Sequence, residues 1–316
     1  MIQDNTNDTI NTRDTRQGHL YLKVAATCKE WLETHQDEWF NFYDIVNFHN
    51  WNGAEAIEHR KALSKWLYYE SGKAEPQLEK KNKSYRYIYR GGEGDVLDWV
   101  NADENEVLDI RWPYGIDDNS TFGFEEYLAI PPGSLIIVAG TSNKGKTAWC
   151  LNFLAENMDK HPCIYMSNEF TSVALRRRLI WFDWVEFLNG DNTPKFKAIR
   201  RYRNWEDVVR TNPDGINIID YLRLEDNTQV GNAIKVIQEK LNKGLAVLAL
   251  QKPPGRDEGY GGYPTIEAAS LYLAIDKNKL KVVKAKDHTG KILDDTVYSF
   301  DIVHHGAKFH NIQEVT

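Results

Sequence analysis

The sequence predicts an α/β protein with a mainly parallel sheet, preceded by a small domain of helices and a hairpin. Short apolar runs at 135–139, 163–167, 216–220 and 245–250 alternate with segments of helical length. Continuous apolar runs are typical of parallel strands covered on both faces, and the intervening segments supply crossover helices. Before residue 92, apolar residues recur with a helical period instead.

Length and composition limit the class of protein. At 316 residues the chain exceeds a typical domain, so we expect two domains or one with a substantial appendage. Hydrophobic residues at 41% and charged residues at 27% exclude collagen-like, low-complexity and wholly disordered classes. No apolar run approaches the roughly 20 residues that span a bilayer. Three cysteines without CxxC spacing exclude a disulfide framework and a cysteine-rich zinc site.

The first 18 residues are polar and lack the apolar core of a secretion signal. We therefore expect a disordered arm over 1–18, a cytoplasmic location and no membrane partner. Charge is uneven in the chain, whose net charge is -7. Residues 60–90 hold nine Lys and Arg against three acids, which suits phosphate. Residues 93–126 hold eleven acids against one arginine, so an acidic linker is predicted over 92–120.

Three helices are predicted before this linker, over 19–35, 42–51 and 54–70. The third has Ile57, Leu63, Trp66 and Leu67 as its apolar face. Two short strands follow near 77–78 and 85–89, joined by a lysine-rich turn at 79–83. This order resembles a winged helix-turn-helix domain over 19–91.

In winged-helix proteins the third helix enters the major groove of duplex DNA and the wing contacts the backbone. The resemblance therefore implies DNA contacts from the third helix and from the wing. The alternative is a small helical domain whose basic face is solvated and binds protein or nothing. The implied DNA-binding residues are Arg60, Lys61 and Lys65 on the helix, and Lys80, Lys81 and Lys83 on the wing.

The strongest motif follows the first apolar run. Residues 140–147 read GTSNKGKT, fit G-x-x-x-x-G-K-[ST], and precede a helical segment over 147–158. Glycines let such a loop approach a phosphate chain, and the helix N-terminus supplies positive dipole. Lys146 adds a charge at the β- and γ-phosphates, and Thr147 offers a hydroxyl to Mg²⁺. The motif predicts ATP and Mg²⁺ binding through Gly140, Thr141, Ser142, Asn143, Lys144, Gly145, Lys146, Thr147 and Ala148.

Such a loop needs carboxylates from other strands. The run at 216–220 ends in Asp220, which we interpret as a Walker B acid and the second Mg²⁺ ligand. A further acid should polarise the attacking water, because Asp220 is used by the metal. The residues alone leave two candidates for this base, Glu169 and Glu225.

The order of these motifs resembles the DnaB-like branch of RecA-fold ATPases over roughly residues 122–290. The resemblance rests on Ser-Asn-Glu-Phe at 167–170, Asp-Tyr-Leu at 220–222 and Gln251 at the end of an apolar run. It implies a RecA-like P-loop ATPase domain over 121–316. It also implies that Glu169 is the catalytic base and that Gln251 senses the γ-phosphate.

The same branch supplies a basic finger to the nucleotide of a neighbouring subunit. Lys286 matches the lysine of this finger, but His288 stands where arginine is expected. Histidine is shorter than arginine and largely neutral at pH 7. The resemblance therefore implies a homo-oligomer, such as a hexameric ring, in which hydrolysis is slow or relies on Lys286.

Two further segments are candidates for nucleic-acid contact. Residues 252–263 are rich in Gly and Pro and follow Gln251, so a mobile loop is predicted there. Its Arg256, Tyr260 and Tyr263 suit single-stranded DNA, although a solvated loop is equally compatible. A second basic cluster is predicted on a helix, where it could bind phosphate or a neighbouring subunit. It includes Lys195, Lys197, Arg200, Arg201 and Arg203.

The leading interpretation is a DNA-binding ATP hydrolase that works as a RecA/DnaB-like motor or switch. A helicase is one form that this motor could take. It would act in replication or recombination of a phage or mobile element. The alternative is a non-translocating ATP-dependent regulator or assembly platform on DNA, which the missing arginine favours. A third class, a nucleotide-dependent scaffold for another protein, predicts no affinity for DNA.

Overall fold

The computed structural model describes residues 15–35, 38–74, 76–88, 97, 99–103 and 105–315. The chain forms two compact units that divide between Ala102 and Asp103. Of the predicted arm over 1–18, residues 1–14 lie outside the described residues, and Thr15 already begins the first helix. In the described part of the chain, no helix is long and apolar enough to cross a membrane.

The first unit contains three helices and a three-stranded antiparallel sheet in the order β1-β3-β2. Its core is formed by side chains of all three helices, among them Val24, Ile45 and Trp66. Asn41 caps the second helix, because its side chain accepts a hydrogen bond from the backbone of Tyr43 at 2.8 Å. The elements are α1 (Thr15–Thr34), β1 (Trp39–Asn41), α2 (Phe42–Phe48), a 3-10 turn (Ala54–Ala56), α3 (Ile57–Gly72), β2 (Leu78–Lys81) and β3 (Ser84–Tyr87).

The three predicted helices and the hairpin are therefore present in the first unit. One residue of the predicted apolar face differs, since Ile57 is 44% exposed whereas Leu63, Trp66 and Leu67 are buried. At 100° per residue, Ile57 lies about 120° around the helix from Leu63, so it points away from the core. The short strand β1 was not predicted.

The second unit is an α/β fold around a nine-stranded sheet in the order β12-β11-β10-β9-β4-β8-β7-β5-β6. The predicted class and the mainly parallel sheet are confirmed. The strands are β4 (Ser134–Gly140), β5 (Cys163–Ser167), β6 (Phe196–Arg200), β7 (Ile216–Asp220), β8 (Leu245–Gln251), β9 (Leu271–Asp276), β10 (Lys279–Ala285), β11 (Val297–Val303) and β12 (Lys308–Val315). The helices are α4 (Phe124–Tyr127), α5 (Lys146–Asn157), α6 (Ser172–Leu179), α7 (Trp205–Val209), α8 (Val230–Gln238) and α9 (Tyr263–Ala268), with 3-10 turns at Asn227–Gln229 and His304–Gly306.

Burial explains which strands the sequence predicts. Every residue of β4, β5 and β7 is buried, because α5 packs on one face of the sheet and α8 on the other. These strands are continuous apolar runs and pair in parallel. Strands β10 and β11 alternate buried and partly exposed residues and belong to an antiparallel meander. Their pattern lacks the long apolar runs that identified the other strands.

The acidic linker predicted over 92–120 does not extend through the whole of that segment. Residues 105–120 belong to the second unit, where Trp112 is buried against Trp149 and Phe153. The backbone of Arg111 exchanges two hydrogen bonds of 2.8 Å with the side chain of Asn157 on α5. Acidic residues surround the few apolar residues that pack in this segment. The charge count therefore did not indicate that the segment packs.

The basic cluster predicted at 195–203 does not lie on a helix, since Lys197 and Arg200 are on a strand and the other three residues flank it. Strand β6 (Phe196–Arg200) forms one edge of the sheet and pairs with β5 alone. Lys195 forms an ion pair with Asp159 at 2.8 Å, and Arg201 forms one with Asp207 at 3.2 Å. Charged side chains on an edge strand discourage pairing with another chain, which is a structural explanation for this cluster.

Candidate functional site

Four parallel strands bring the predicted site residues to one edge of the sheet. Strands β4, β8, β7 and β5 are neighbours, and their register aligns Gly140 with Gln251 and Ser167 with Asp220. The segments that follow these strands therefore meet at the carboxyl edge, where open α/β sheets bind ligands. They enclose a cavity of about 750 Å³. Its lining includes residues 142–148, Glu169, Asp220 and Gln251.

The loop 141–145 connects β4 to α5 in a shape that requires glycine. Gly145 has φ 111 and ψ 0, and an added Cβ would lie 2.7 Å from Cδ1 of Ile302. A Cβ on Gly140 would lie 2.8 Å from the carbonyl oxygen of Ile275. Helix α5 begins directly after this loop, and its first residues line the cavity. The free N–H groups of a helix N-terminus favour an anion at this position.

Lys146 places its ammonium inside the loop. The residue is only 7% exposed, and Nζ donates to the carbonyl oxygens of Gly140 and Thr141, each at 2.9 Å. Burial lowers the pKa of Lys146, and the carboxylates of Asp220 and Glu169 oppose that shift. The site thus combines one buried cation with two carboxylates.

Asp220 has one satisfied and one unsatisfied oxygen. Its Oδ2 accepts a hydrogen bond of 2.6 Å from the hydroxyl of Tyr165, whereas the buried Oδ1 has no partner among the described residues. Burial raises the pKa of Asp220, and the nearby hydroxyls of Tyr165 and Thr147 oppose the rise. A buried polar atom without a partner is uncommon in proteins and calls for an explanation such as an ion.

The pair of Asp220 and Thr147 fits Mg²⁺. This cation takes oxygen ligands, commonly one or two carboxylates together with water and substrate phosphates. The described residues contain no group of three His, Cys, Asp or Glu side chains that could hold a metal. A two-residue site that shares its metal with phosphate is compatible with that finding.

Glu169 is the second carboxylate at this cavity. Burial raises its pKa, the charge of Asp220 raises it further, and Lys146 and Arg178 oppose the rise. Glu169 lines the same cavity as Lys146 and Asp220. Glu225, the other candidate from sequence, lines a different cavity. The geometry therefore groups Glu169, and not Glu225, with the loop.

This second cavity adjoins the first at the same edge of the sheet. It has a volume of about 620 Å³ and shares Glu169, Tyr221 and Gln251 with the first. Gln251 therefore borders both cavities. The lining of the second cavity also includes Tyr202, Arg223 and Tyr260.

The segment 252–263 is held to the sheet, although its composition predicts mobility. Lys252 is buried, and its Nζ donates to the carbonyl of Arg256 at 2.6 Å and pairs with Asp276 at 2.9 Å. The backbone of Gly259 donates to the hydroxyl of Tyr272 at 2.7 Å. The exposed side chains of this segment include Arg256, Tyr260 and Tyr263.

Lys286 and His288 lie at the opposite edge of the sheet. Strand β10 runs antiparallel to β9, so Ala285 pairs with Leu271 while Leu280 pairs with Ile275 beside the P-loop strand. These two pairs are separated by about 13 Å at roughly 3.3 Å per residue. Lys286 follows Ala285 and is exposed, and His288 bridges to Leu128. Neither residue lines the cavity of its own chain.

Arg178 is a cation of the cavity that sequence reasoning missed. It lies on α6, lines the cavity, and donates to the carbonyl of His305 at 2.9 Å. Its charge lowers the pKa of both Asp220 and Glu169. The only sequence signal is a run of three arginines at 176–178, and a run does not show which member faces the strands.

The lysines predicted to bind DNA are mostly exposed, while Arg60 is engaged within its own unit. Arg60 donates to the carbonyls of Trp51 at 2.5 Å and Gly53 at 2.8 Å, which closes the loop before α3. Lys61 pairs with Glu58, and the ammonium of Lys65 lies over the ring of Tyr69. On the hairpin, Lys80, Lys81 and Lys83 are exposed.

Comparison with known proteins gives little beyond this geometry. No protein-family model and no curated protein matches the chain. Among solved structures, one similar chain is the KaiC-like protein PH0186 from the hyperthermophilic archaeon Pyrococcus horikoshii OT3. The two chains are 18% identical with a TM-score of 0.48, and the match covers 65% of this chain and 99% of that one. An assignment of function must therefore rest on the site itself.

Proposed function

We propose that the second unit is a RecA-like P-loop ATPase and that the whole chain couples ATP hydrolysis to DNA binding. One observation carries the proposal: the ammonium of Lys146, the unpartnered oxygen of Asp220 and the carboxylate of Glu169 converge on one cavity at the start of α5. This is the charge arrangement that a bound nucleoside triphosphate with Mg²⁺ requires.

Each residue has a role that its surroundings support. The loop 141–145 and the N-terminus of α5 bind the phosphates, and Lys146 neutralises charge at the β- and γ-phosphates. Asp220 and Thr147 hold Mg²⁺, which when bound neutralises developing phosphate charge. Glu169, whose pKa is raised by desolvation and by the charge of Asp220, accepts a proton from the attacking water. Gln251 is the last residue of β8, which lies between β4 and β7, and it contacts the γ-phosphate.

The first unit supports DNA binding in the manner of a winged helix. Lys61, Lys65 and Tyr68 are exposed on α3 at a spacing that places them on one helix face. The hairpin adds three exposed lysines nearby in sequence. We assign α3 to the major groove of duplex DNA and the hairpin to its phosphates. We assign a structural role to Arg60, because its guanidinium donates hydrogen bonds to two backbone carbonyls.

The second cavity supports coupling between DNA and nucleotide. Its tyrosines and Arg223 offer stacking faces and a cation, which suit single-stranded nucleic acid. Because Gln251 borders both cavities, a strand bound beside Tyr260 would alter the surroundings of the γ-phosphate. Replication or recombination of a phage or mobile element is the setting we propose for this coupling.

The alternative is a non-translocating ATP-dependent regulator on DNA, and His288 favours it. A finger without arginine lacks the planar, permanently charged fork that stabilises the transition state. Both functions share the ATP site and the DNA contacts. They differ in whether hydrolysis separates strands.

Two assays test the proposal. Phosphate release from ATP by the purified chain should rise when single-stranded DNA is added, and DNA that leaves the rate unchanged would contradict coupling. Strand separation measured with ATP and with a non-hydrolysable analogue distinguishes the two functions. Separation that requires hydrolysis indicates a motor, whereas ATP-dependent binding without separation indicates the regulator.

A further inference from the structure

The cavity beside the P-loop extends past the phosphate-binding residues on the side of β11. Ile302 lies against Gly145. A Cβ added to Gly306 would lie 3.3 Å from the Cβ of Ala148. Ile302 lies on β11, and Gly306 follows this strand. In the sheet, β9 and β10 separate β11 from β4, whereas the strands that lead to Gln251, Asp220 and Glu169 lie on the other side of β4. The cavity therefore has a carboxylate side and a β11 side.

An aromatic pair lies on the β11 side. The rings of Trp181 and His305 have centroids 4.2 Å apart and are tilted by 38°. Both residues line the cavity, and Trp181 is 42% exposed. Trp184, three residues later, instead donates its indole N–H to the carbonyl of Ala307 at 3.0 Å. The two tryptophans thus differ, since Trp184 ties the fold together and Trp181 presents its ring to the cavity.

The direction of a bound triphosphate follows from the carboxylate side. Its γ-phosphate must lie near Glu169, Asp220 and Gln251, because these residues serve its cleavage. The remainder of the molecule then extends from the loop toward Ile302, His305 and Trp181. The cavity volume of about 750 Å³ is sufficient for a whole nucleotide, since such sites commonly span roughly 300–1,000 Å³.

We propose that Trp181, supported by His305, is the stacking platform for the base of a purine nucleoside triphosphate. This inference rests on the proposed function, because it takes the phosphate end of the ligand from that site. A bicyclic purine overlaps an indole ring more completely than a pyrimidine does, and overlap determines how much stacking stabilises the complex. Trp181 therefore selects the ligand by its base, whereas Lys146 selects it by its phosphates.

Titration calorimetry with two kinds of ligand separates these contributions. Magnesium tripolyphosphate reports the phosphate site alone, and MgATP reports phosphate and base together. The variants are Trp181→Ala, Trp181→Phe, which keeps an aromatic ring, and Trp39→Ala. Trp39 is a matched control because it is 45% exposed and belongs to the first unit.

Trp181→Ala should weaken MgATP binding about 10- to 100-fold and change tripolyphosphate binding less than about twofold. Trp181→Phe should retain most of the affinity, Trp39→Ala should match wild type, and wild type should bind ATP and GTP more tightly than CTP. Equal losses for ATP and tripolyphosphate, unchanged ATP binding, or equal affinity for ATP and CTP would each overturn the inference. If wild type binds neither ATP nor tripolyphosphate, the proposed function itself fails along with it.

Discussion

Glu169 and Asp220 are neighbouring carboxylates whose surroundings give them different chemistry. Asp220 is enclosed, accepts from Tyr165 and keeps one oxygen without a partner among the described residues. Glu169 is exposed by comparison, and its pKa is raised by partial desolvation and by the charge of Asp220. A raised pKa makes a carboxylate a better proton acceptor near neutral pH. In the function proposed above, Asp220 is therefore the metal ligand and Glu169 the base.

Replacing Glu169 with Gln is expected to preserve MgATP binding and to slow hydrolysis at least about 100-fold. The amide keeps the size of the side chain but cannot accept the proton, and general bases contribute roughly 10²- to 10⁴-fold. Equilibrium binding and single-turnover phosphate release measure the two effects separately. Glu225→Gln is the comparison, and a slow rate in that variant instead would move the base to Glu225.

Glu156 is expected to make stability depend on pH. Burial, with a contribution from the charge of Glu125, raises its pKa from 4.5 to about 7, and Arg111 opposes the rise. The folded state thus holds this proton more tightly than the unfolded chain does. Stability contributed by Glu156 is present below about pH 4.5 and is lost as pH rises to about 7.

Glu156→Gln should therefore raise the free energy of unfolding of the second unit at pH 8, by about 1 kcal/mol after allowance for partial exposure. At pH 5 the gain should be much smaller. Urea unfolding at both pH values measures this difference, with the exposed Glu186→Gln as control. An equal effect of Glu156→Gln at pH 5 and pH 8 would contradict the assignment.

At the scale of elements, the sequence predicts those whose pattern has one physical cause. Strands β4, β5, β7 and β8 are buried on both faces and read as apolar runs. The loop 140–147 is predicted because only a few residue types fit its contacts. Strands β10 to β12 lack such runs, because exposed or partly exposed residues interrupt their buried ones.

Side-chain partners across the fold were also beyond the sequence. Lys252 and Arg60 appear as free cations in a charge count, yet each is bound by groups of its own unit. Arg178 lies in a run of three arginines, and its place in the cavity depends on the phase of α6. Trp181 and His305 are distant in sequence and meet only in the folded chain. These contacts depend on tertiary packing and not on local pattern.

The hairpin of β2 and β3 should contribute to duplex DNA binding independently of hydrolysis. Replacing Lys80, Lys81 and Lys83 together with Ala removes up to about three phosphate contacts and should flatten the dependence of log K on log salt accordingly. Basal phosphate release should remain near wild type. DNA binding measured from 50 to 300 mM salt tests this.

A charge-matched variant controls for the loss of three positive charges. Lys235, Lys240 and Lys243 lie on or just after α8 in the second unit, and replacing all three with Ala changes the net charge equally. This control should keep the wild-type salt slope. Identical slopes for all three proteins would assign the hairpin to protein interaction.

At the scale of the whole molecule, we propose that hydrolysis depends on assembly. Lys286 lies at the edge of the sheet opposite the P-loop, so a role at a nucleotide would require a second subunit. We propose a ring, such as a hexamer, or a filament in which each chain supplies Lys286 to its neighbour. Specific activity should then rise with protein concentration before it levels off.

Mixing two inactive variants tests this arrangement. Lys286→Ala and Lys146→Ala subunits should regain activity together, because some interfaces then pair an intact loop with an intact Lys286. His288→Arg should raise the rate further if this position faces the neighbouring nucleotide. Light scattering with saturating ATP and DNA gives the mass. A monomer with concentration-independent activity would contradict both the ring and the finger.

We propose that the loop at 140–147 binds a nucleoside triphosphate, and the most direct test is MgATP binding by wild type and Lys146→Ala. Loss of a charged hydrogen-bond donor should weaken binding about 10- to 100-fold and reduce phosphate release to background. Lys235→Ala, which removes an exposed lysine on α8, should bind like wild type. Equal MgATP affinity and equal turnover in wild type and Lys146→Ala would contradict the account.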